Sequence, residues 1–338
     1  MRHRGRIWLL AAVLLVLTAC GSGGSTPSHN SGPGLTPVTL TLNWYPYGEH
    51  APFYYGQLTG IFAKHGIDLT IRPGQGSGAT VRAVGGDKTT FGWADTPSLL
   101  AGVSSGLPVK SVGVFLQNTP ASVEFLSSAN IHSPQDLKGK TIATTAGDAL
   151  TAEFPTFLKS QGMTLNQVTL QNVDAAGKIA AVISGRADAL LGFYHDQGPT
   201  VANKSGQPVS VLKFSDYGLD YYSTGLIVNN ATIKSNPTLV GEMVAATSEA
   251  FTAAAANPGA AVAAMKGVSP QLPPTSVLTA SWNDTVQLLH TKSTRAQPPG
   301  VDTDADWQHT IDVFGNSGVV KNPGKPTDYW DPDFIQKD

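Results

Sequence analysis

The stretch VTLTLNWYPYGEH, residues 38–50, changes character halfway along. Val38, Leu40 and Leu42 alternate with Thr39, Thr41 and Asn43, the period of a strand with one face in a core. The alternation then breaks into Trp44, Tyr45, Pro46, Tyr47, Gly48, Glu49 and His50. A strand that only fills a core has no use for a turn holding three large rings, a carboxylate and an imidazole. A strand whose carboxyl end opens onto a cleft does, because ligands of open α/β sheets bind beyond those ends.

The pattern continues outward from that turn. APFYYGQLTGIFAKHG reads as helix with Gly66 as its stop, IDLTIRP as strand, GQGSGATVRAVGG as a glycine-rich turn into a short helix, and TTFGWAD as strand. TPSLLAGVSSG reads as helix, with Thr96 as N-cap and Pro97 at its first position, and PVKSVGVFLQN as the next strand. Such a β-α-β-α-β run predicts a parallel sheet covered on both faces. A second series starts at SPQDLKGKTIATT and runs through QVTLQNV, ALLGF and PVSVLKF; STGLIVNN returns to the first unit. The fold class is therefore α/β, with two lobes joined by crossings near 118–122 and 222–225 and a hinged cleft between them. The expected division is lobe 1 over 37–120 plus 224–320, lobe 2 over 121–223, and an irregular tail over 321–338.

The chain of 338 residues opens with a basic MRHRGR, an apolar IWLLAAVLLVL and the tetrapeptide LTAC. That order is a secretory signal over 1–19, too short to span a bilayer as a helix. Cys20 is the single cysteine, and Leu17-Thr18-Ala19-Cys20 matches a bacterial lipobox. The expected mature protein carries lipid on Cys20, sits on the outer face of the cell membrane or in a periplasm, and reaches its folded part through a Gly/Ser/Pro tether over 20–36. Loss of 1–19 removes three of the 22 basic residues and no acid, leaving 19 against 24 acidic ones. No basic stripe remains, so nucleic acid is not an expected partner. The eight histidines are scattered without metal-ligand spacing, and no G-x-S-x-G elbow accompanies the serines. No metal, no cofactor and no catalytic group is expected.

The residues quoted above carry a family likeness. LNWYPYGEHAPFYYGQLTGIFAKHGIDLTI, GQGSGATVRAVGGDKTTFGWAD, GLPVKSV and LKGKTIATTAG resemble successive signatures of the NMT1/THI5-like periplasmic-type binding proteins. The resemblance spans roughly residues 37–290. It implies a type II periplasmic-binding-protein fold, a monomer, a small-molecule ligand, and an ABC permease with its ATPase as partners. LGFYHDQG at 191–198 and DYGLDYYSTGLIV at 216–228 look most like the branch that binds thiamine pyrimidine precursors of the hydroxymethyl- or formylaminopyrimidine type. Riboflavin-binding, sulfonate-, taurine- and nitrate-binding relatives are the alternatives. The same fold houses an enzyme that builds the thiamine pyrimidine with a cysteine-rich iron motif, which a chain with one cysteine does not carry. An exported enzyme of pyrimidine metabolism remains the alternative of another class.

Trp44, Tyr45 and Tyr47 follow one strand, Phe193 and Tyr194 another, and Tyr217, Tyr221 and Tyr222 lie at the second crossing. Rings offered from both lobes can sandwich a planar guest; Tyr45, Phe53 and Phe193 can equally be core. The expectation is that Trp44 and Tyr194 stack on the ligand, that Asp196 or Glu49 reads an amino group, and that Asn43, Ser77, Thr96 and Asn118 complete the polar shell. His50 is a candidate donor, or an ordinary first-turn histidine. Gln75 and Ser77, with the backbone amides of GQGSG, are candidates to hold a carbonyl, sulfonate or phosphate. Thr145, like Thr96, is expected to cap a helix at the cleft, with Asp95 and Asp148 beside them; Tyr47 and Tyr222 complete the expected ligand-binding set.

Overall fold

The computed structural model describes residues 34–334. The signal segment, Cys20 and the tether up to residue 33 lie outside the described residues. Two five-stranded sheets carry the fold. In the first, β1 (Thr36–Thr41), β2 (Ile67–Arg72), β3 (Phe91–Asp95) and β4 (Val109–Val114) are joined by a strand from far along the chain, β10 (Thr224–Asn229). Its order is β2-β1-β3-β10-β4. In the second, β5 (Ala121–Leu126), β6 (Thr141–Thr144), β7 (Thr169–Asn172), β8 (Ala189–Phe193) and β9 (Val209–Lys213) are ordered β7-β6-β8-β5-β9.

The expectation of wholly parallel sheets fails at one strand in each. β10 runs antiparallel between β3 and β4, and β5 runs antiparallel between β8 and β9. Both are the strands that have just crossed from the other sheet. A chain arriving from the far lobe enters the middle of its new sheet from the cleft end, so its direction opposes that of its neighbours. β5 itself, ASVEFL, was not among the expected strands. The two crossings pair with each other: the Phe115 and Leu116 amides donate to the Thr224 carbonyl, and Ser223 N–H donates to Leu116 O.

The opening alternation is realised. Val38, Leu40 and Leu42 are buried, and the turn after them begins a short 3-10 segment at Gly48–His50 that runs into the helix Ala51–Leu58. β3 is buried along its whole length. There, Trp93 packs edge-on to Phe53 at 5.0 Å and tilted against Phe115 and Phe251. Gly92 beside it admits no side chain, because a Cβ would stand 2.8 Å from Thr80 and Val84 and 2.9 Å from Ile227.

The end of the described chain is not the irregular tail expected from NPGKPTDYWDPDF. Residues Pro326–Tyr329 form a short helix, and Tyr329 and Trp330 are buried. Trp330 bridges to Ser111 on β4 and stacks on Trp307 with centroids 5.9 Å apart. Trp307 belongs to the helix Asp304–Ser317, whose Ile311 and Phe314 share one apolar cluster with Phe154 and Phe157 of the helix Leu150–Ser160. This final helix, assigned by sequence to the first lobe, therefore also packs against the second. Trp330→Ala should cost about 3–5 kcal/mol, the range for emptying a buried indole site, and a urea unfolding midpoint unchanged from the parent protein would return the segment to the status of a tail.

Candidate functional site

The carboxyl end of β1 and the turn after β2 face the carboxyl ends of β6 and β8, and a small cavity of about 30 Å³ lies between them. Trp44, Tyr47 and Phe193 supply its rings. Asn43 and Ser77 supply polar groups from the first sheet's side, and Asp148, Lys178, Asp196 and Gln197 from the second. Past Trp44 and Tyr47 the space continues into an outer hollow of about 340 Å³, lined by Tyr45, Pro46, Ile179, Lys204 and Pro273.

The turn that opens the sequence is built around Glu49, which has no solvent exposure. Its Oε1 accepts from Trp93 Nε1 at 2.6 Å, and its Oε2 accepts from the Tyr47 hydroxyl at 2.5 Å and from His195 Nε2 at 2.8 Å. Burial works to raise this carboxyl, but the hydrogen bond and charge of His195 and the Tyr47 hydrogen bond hold it below its ordinary value. His50 is equally buried, and burial drives its imidazole down to about 4. It accepts the Tyr47 N–H at Nδ1, so the proton on Nε2 is donated to Asn43 Oδ1 at 2.8 Å. Asn43 is left with its amide NH2 as the remaining donor at the cavity wall.

Lys178 enters from the helix Ala175–Ile183 and is almost fully buried. Its ammonium donates to Asp148 Oδ2 at 3.1 Å and to the Leu191 carbonyl at 2.9 Å, and lies 4.9 Å from the Trp44 ring centroid. Asp196 precedes the helix Gln197–Ser205 and accepts from Gln197 Nε2. Burial lifts its carboxyl to about 7 against the lowering charges of His195 and Lys178.

Of the expected site residues, Asn43, Trp44, Tyr47, Ser77 and Asp196 line the cavity. Glu49 and His50 lie behind its wall as supports. Asp95, expected at the ligand, is wholly buried, and its Oδ2 accepts from Ser223. Thr96 is not the N-cap but the first helical residue, and its hydroxyl donates to Ser223 O at 2.6 Å. Thr145 caps no helix: the next one starts at Leu150, and the Thr145 amide donates to Asp148. Asn118 and Tyr222 face a different polar hollow on the crossing side, where Asn118 donates to His290 O and the Tyr222 hydroxyl accepts from Thr303 N–H. Tyr194 is not opposite Trp44; it lies under the Lys213 ammonium, 3.9 Å from the ring centroid, and Phe193 takes the place at the cavity.

Gln75 is exposed and outside the cavity. Three of the five GQGSG amides are not open to a ligand either. Gly74, Gly76 and Gly78 donate to the carbonyls of Trp44, Asn43 and Gly147. Gly76 has φ +121°, and a Cβ there would sit 2.5 Å from Gly147 O, so these glycines serve close contact between backbones of the two sides. Lys178 was missed because AGKIAAVISG reads as an ordinary helix. The signal it did carry is a lone cation in an otherwise apolar face. Among the described residues no group of three His, Cys, Asp or Glu could hold a metal ion, and no helix is long and apolar enough to cross a membrane.

Glu49→Ala would leave Trp93, Tyr47 and His195 without their acceptor. Breaking a buried hydrogen-bonded charge in this way costs about 3–5 kcal/mol; thermal unfolding within a degree of the parent protein would deny Glu49 its bracing role.

Known proteins agree with this architecture. A riboflavin-binding protein, RibY, of Chloroflexus aurantiacus is 28% identical over 259 residues, covering 73% of each chain. A formylaminopyrimidine-binding protein of Halalkalibacterium halodurans is 27% identical over 242 residues, covering 71% of each. Among solved structures, the alkanesulfonate-binding protein SsuA of Xanthomonas axonopodis pv. citri superposes with a TM-score of 0.67 at 14% identity, covering 89% of this chain and 99% of that one. That likeness is one of fold: two mixed α/β sheets facing a cleft, the fold of the periplasmic binding proteins. Residues 48–261, more than half of the chain, match the family described as NMT1/THI5 like, and the protein belongs to that family.

Proposed function

We propose that this protein is the lipid-anchored solute-binding component of an ABC importer and that its solute is a small planar heteroaromatic molecule, of the thiamine pyrimidine-precursor class. The observation that carries the reading is the cavity wall: Trp44, Tyr47 and Phe193 gathered with the Asp196 carboxyl and the Asn43 amide between the two sheets. Rings bind a flat π-system by stacking, worth about 0.5–1.5 kcal/mol per contact beyond burial. A carboxylate that accepts from an exocyclic amine fixes its orientation, and Asn43 donates to a ring nitrogen or carbonyl.

The cavity holds about 30 Å³, far below the 300–1,000 Å³ or so of small-molecule sites. Admission of a ring therefore requires the two lobes to part about the crossings at 118–122 and 222–225 and to close again. Lobe 1 is taken as 37–120 plus 224–320 and lobe 2 as 121–223. Delivery needs no covalent step: the loaded monomer, exported and held by Cys20 at the outer face of the membrane, docks on a permease whose ATPase drives release.

Riboflavin stands second, because the outer hollow of about 340 Å³ beyond Trp44 would take an extended tail. A sulfonate or nitrate is less well served, since three of the five glycine-loop amides donate to carbonyls and Arg72 and Arg82 lie outside the cavity.

A thermal-shift panel of aminopyrimidine precursors, thiamine, riboflavin, taurine, alkanesulfonates and nitrate tests the reading. A ligand at a thousand times its Kd adds about 4 kcal/mol, several degrees in Tm for a protein of this size. The expected outcome is a shift with aminopyrimidines, with each compound recovered unchanged; turnover would make the protein an enzyme, and a shift with sulfonates alone would remove the ring-binding site. Trp44→Ala is expected to weaken binding about tenfold or more, and Asp196→Asn by about 1.5–3 kcal/mol, the worth of a hydrogen bond to a charged group. Titration calorimetry that finds either variant equal to the parent would strike that residue from the site.

A further inference from the structure

Asp95 and Glu153 come from opposite sides of the cleft. Asp95 ends β3 in the first sheet, and Glu153 lies in the helix Leu150–Ser160 that covers the second. Both are without solvent exposure. One oxygen of each has an ordinary donor: Ser223 Oγ donates to Asp95 Oδ2 at 2.6 Å, and the Tyr221 hydroxyl donates to Glu153 Oε2. Both donors belong to the second crossing. The other oxygens, Asp95 Oδ1 and Glu153 Oε1, find no N–H or O–H donor. Asp95 stands at the start of the helix Thr96–Ser104, which packs on the helix that carries Glu153, and each carboxyl acts on the other; two carboxyl groups can share a hydrogen bond only if one carries a proton.

We infer that Asp95 and Glu153 form a proton-binding site assembled when the lobes close, so that capture of the solute takes up one proton. The inference rests on the lobe closure proposed above, not on the identity of the solute. The surroundings favour a proton on the pair. Burial raises both carboxyls, and the charged groups acting on them, Glu49 on Asp95 and Asp148 on Glu153, are also acidic. Asp95 is lifted to about 7 and Glu153 well above its usual range. Parted lobes return both groups to water, where carboxyls titrate near 4. Near neutral pH the open form then has both ionised and the closed form shares one proton. A group raised in the closed form favours closure at low pH, and that contribution is lost as pH rises through the closed-state value. Between these limits solute affinity falls about tenfold per pH unit.

Glu49 with His195 and His50, and Asp196 beside Lys178, also change environment at the cleft, so the pair is isolated by difference. Glu153→Gln places an amide N–H toward Asp95 and an oxygen toward Tyr221, which makes the contact without a titrating proton. Asp95→Asn does the same from the other side and serves if the first variant folds poorly. Small-angle scattering of the purified protein without ligand, from pH 5 to 9, should show the parent expanding as pH rises, and by more than the variants do. A parent radius that does not change, or variants that follow the parent, would overturn the proton site. Calorimetry with formylaminopyrimidine and with riboflavin, in phosphate and in Tris at pH 7, should count about one more proton taken up by the parent than by the variants. Equal counts would overturn the coupling while leaving the binding reading intact. If neither compound binds, the ligand reading fails and the scattering result alone decides the proton site.

Discussion

A carboxylate sealed from water has to be met by donors, and at Glu49 those donors come from three parts of the chain. Tyr47 belongs to the same turn, Trp93 to the central strand β3, and His195 to the loop after β8 in the other sheet. An ion left unpaired at this depth costs several kcal/mol. The turn, the first sheet and the second sheet therefore have one arrangement that satisfies it together. The rest of the site follows from that arrangement. With Tyr47 held, its backbone N–H selects the His50 tautomer, and His50 in turn orients Asn43 at the cavity.

The acids around the cleft divide into two kinds with opposite responses to pH. Glu49 is held low, so its contribution to stability is present above its unfolded-state value and is lost as pH falls through the folded one. Asp95, Glu153, Asp196 and Glu124 are raised, chiefly by burial, so their contribution is fully present at low pH and is lost as pH rises. The region where the two lobes meet is thus poor in solvent and rich in carboxyl groups, with Lys178 as the cation placed among them.

Much of the fold could be read from residue patterns because its elements follow local periods. Val38, Leu40 and Leu42 announced β1, and STGLIVNN was legible as a strand returning to the first sheet. The direction of that strand was not legible, because it depends on which end of the sheet a crossing chain enters, and no local pattern records that. At the site, chemistry was easier to read than direction. Asn43, Trp44, Tyr47, Ser77 and Asp196 stood out as polar or aromatic residues at strand ends. Tyr194 and Phe193 are neighbours on a strand end, where adjacent side chains point to opposite faces, and the face toward the cavity belongs to Phe193. Glu49, His50 and Asp95 looked like ligand contacts because a buried bracing acid and a ligand-reading acid have the same composition; only the partners separate them. Thr96 failed for another reason, since where a helix starts is uncertain by a residue or two from sequence, and Thr145 because a turn separates the strand end from the helix at Leu150.

The bridge between Trp330 and Ser111 bears on how the molecule comes into being. Trp330 lies more than two hundred residues after β4 in the sequence. β10 likewise has to thread between β3 and β4 from more than a hundred residues downstream. Contacts so distant in sequence form slowly. The first sheet is therefore incomplete until β10 has been made, and the cluster that holds Trp307 and Trp330 closes later still. The long-range pairings, and not the local strand patterns, therefore set the pace at which this part of the fold is completed.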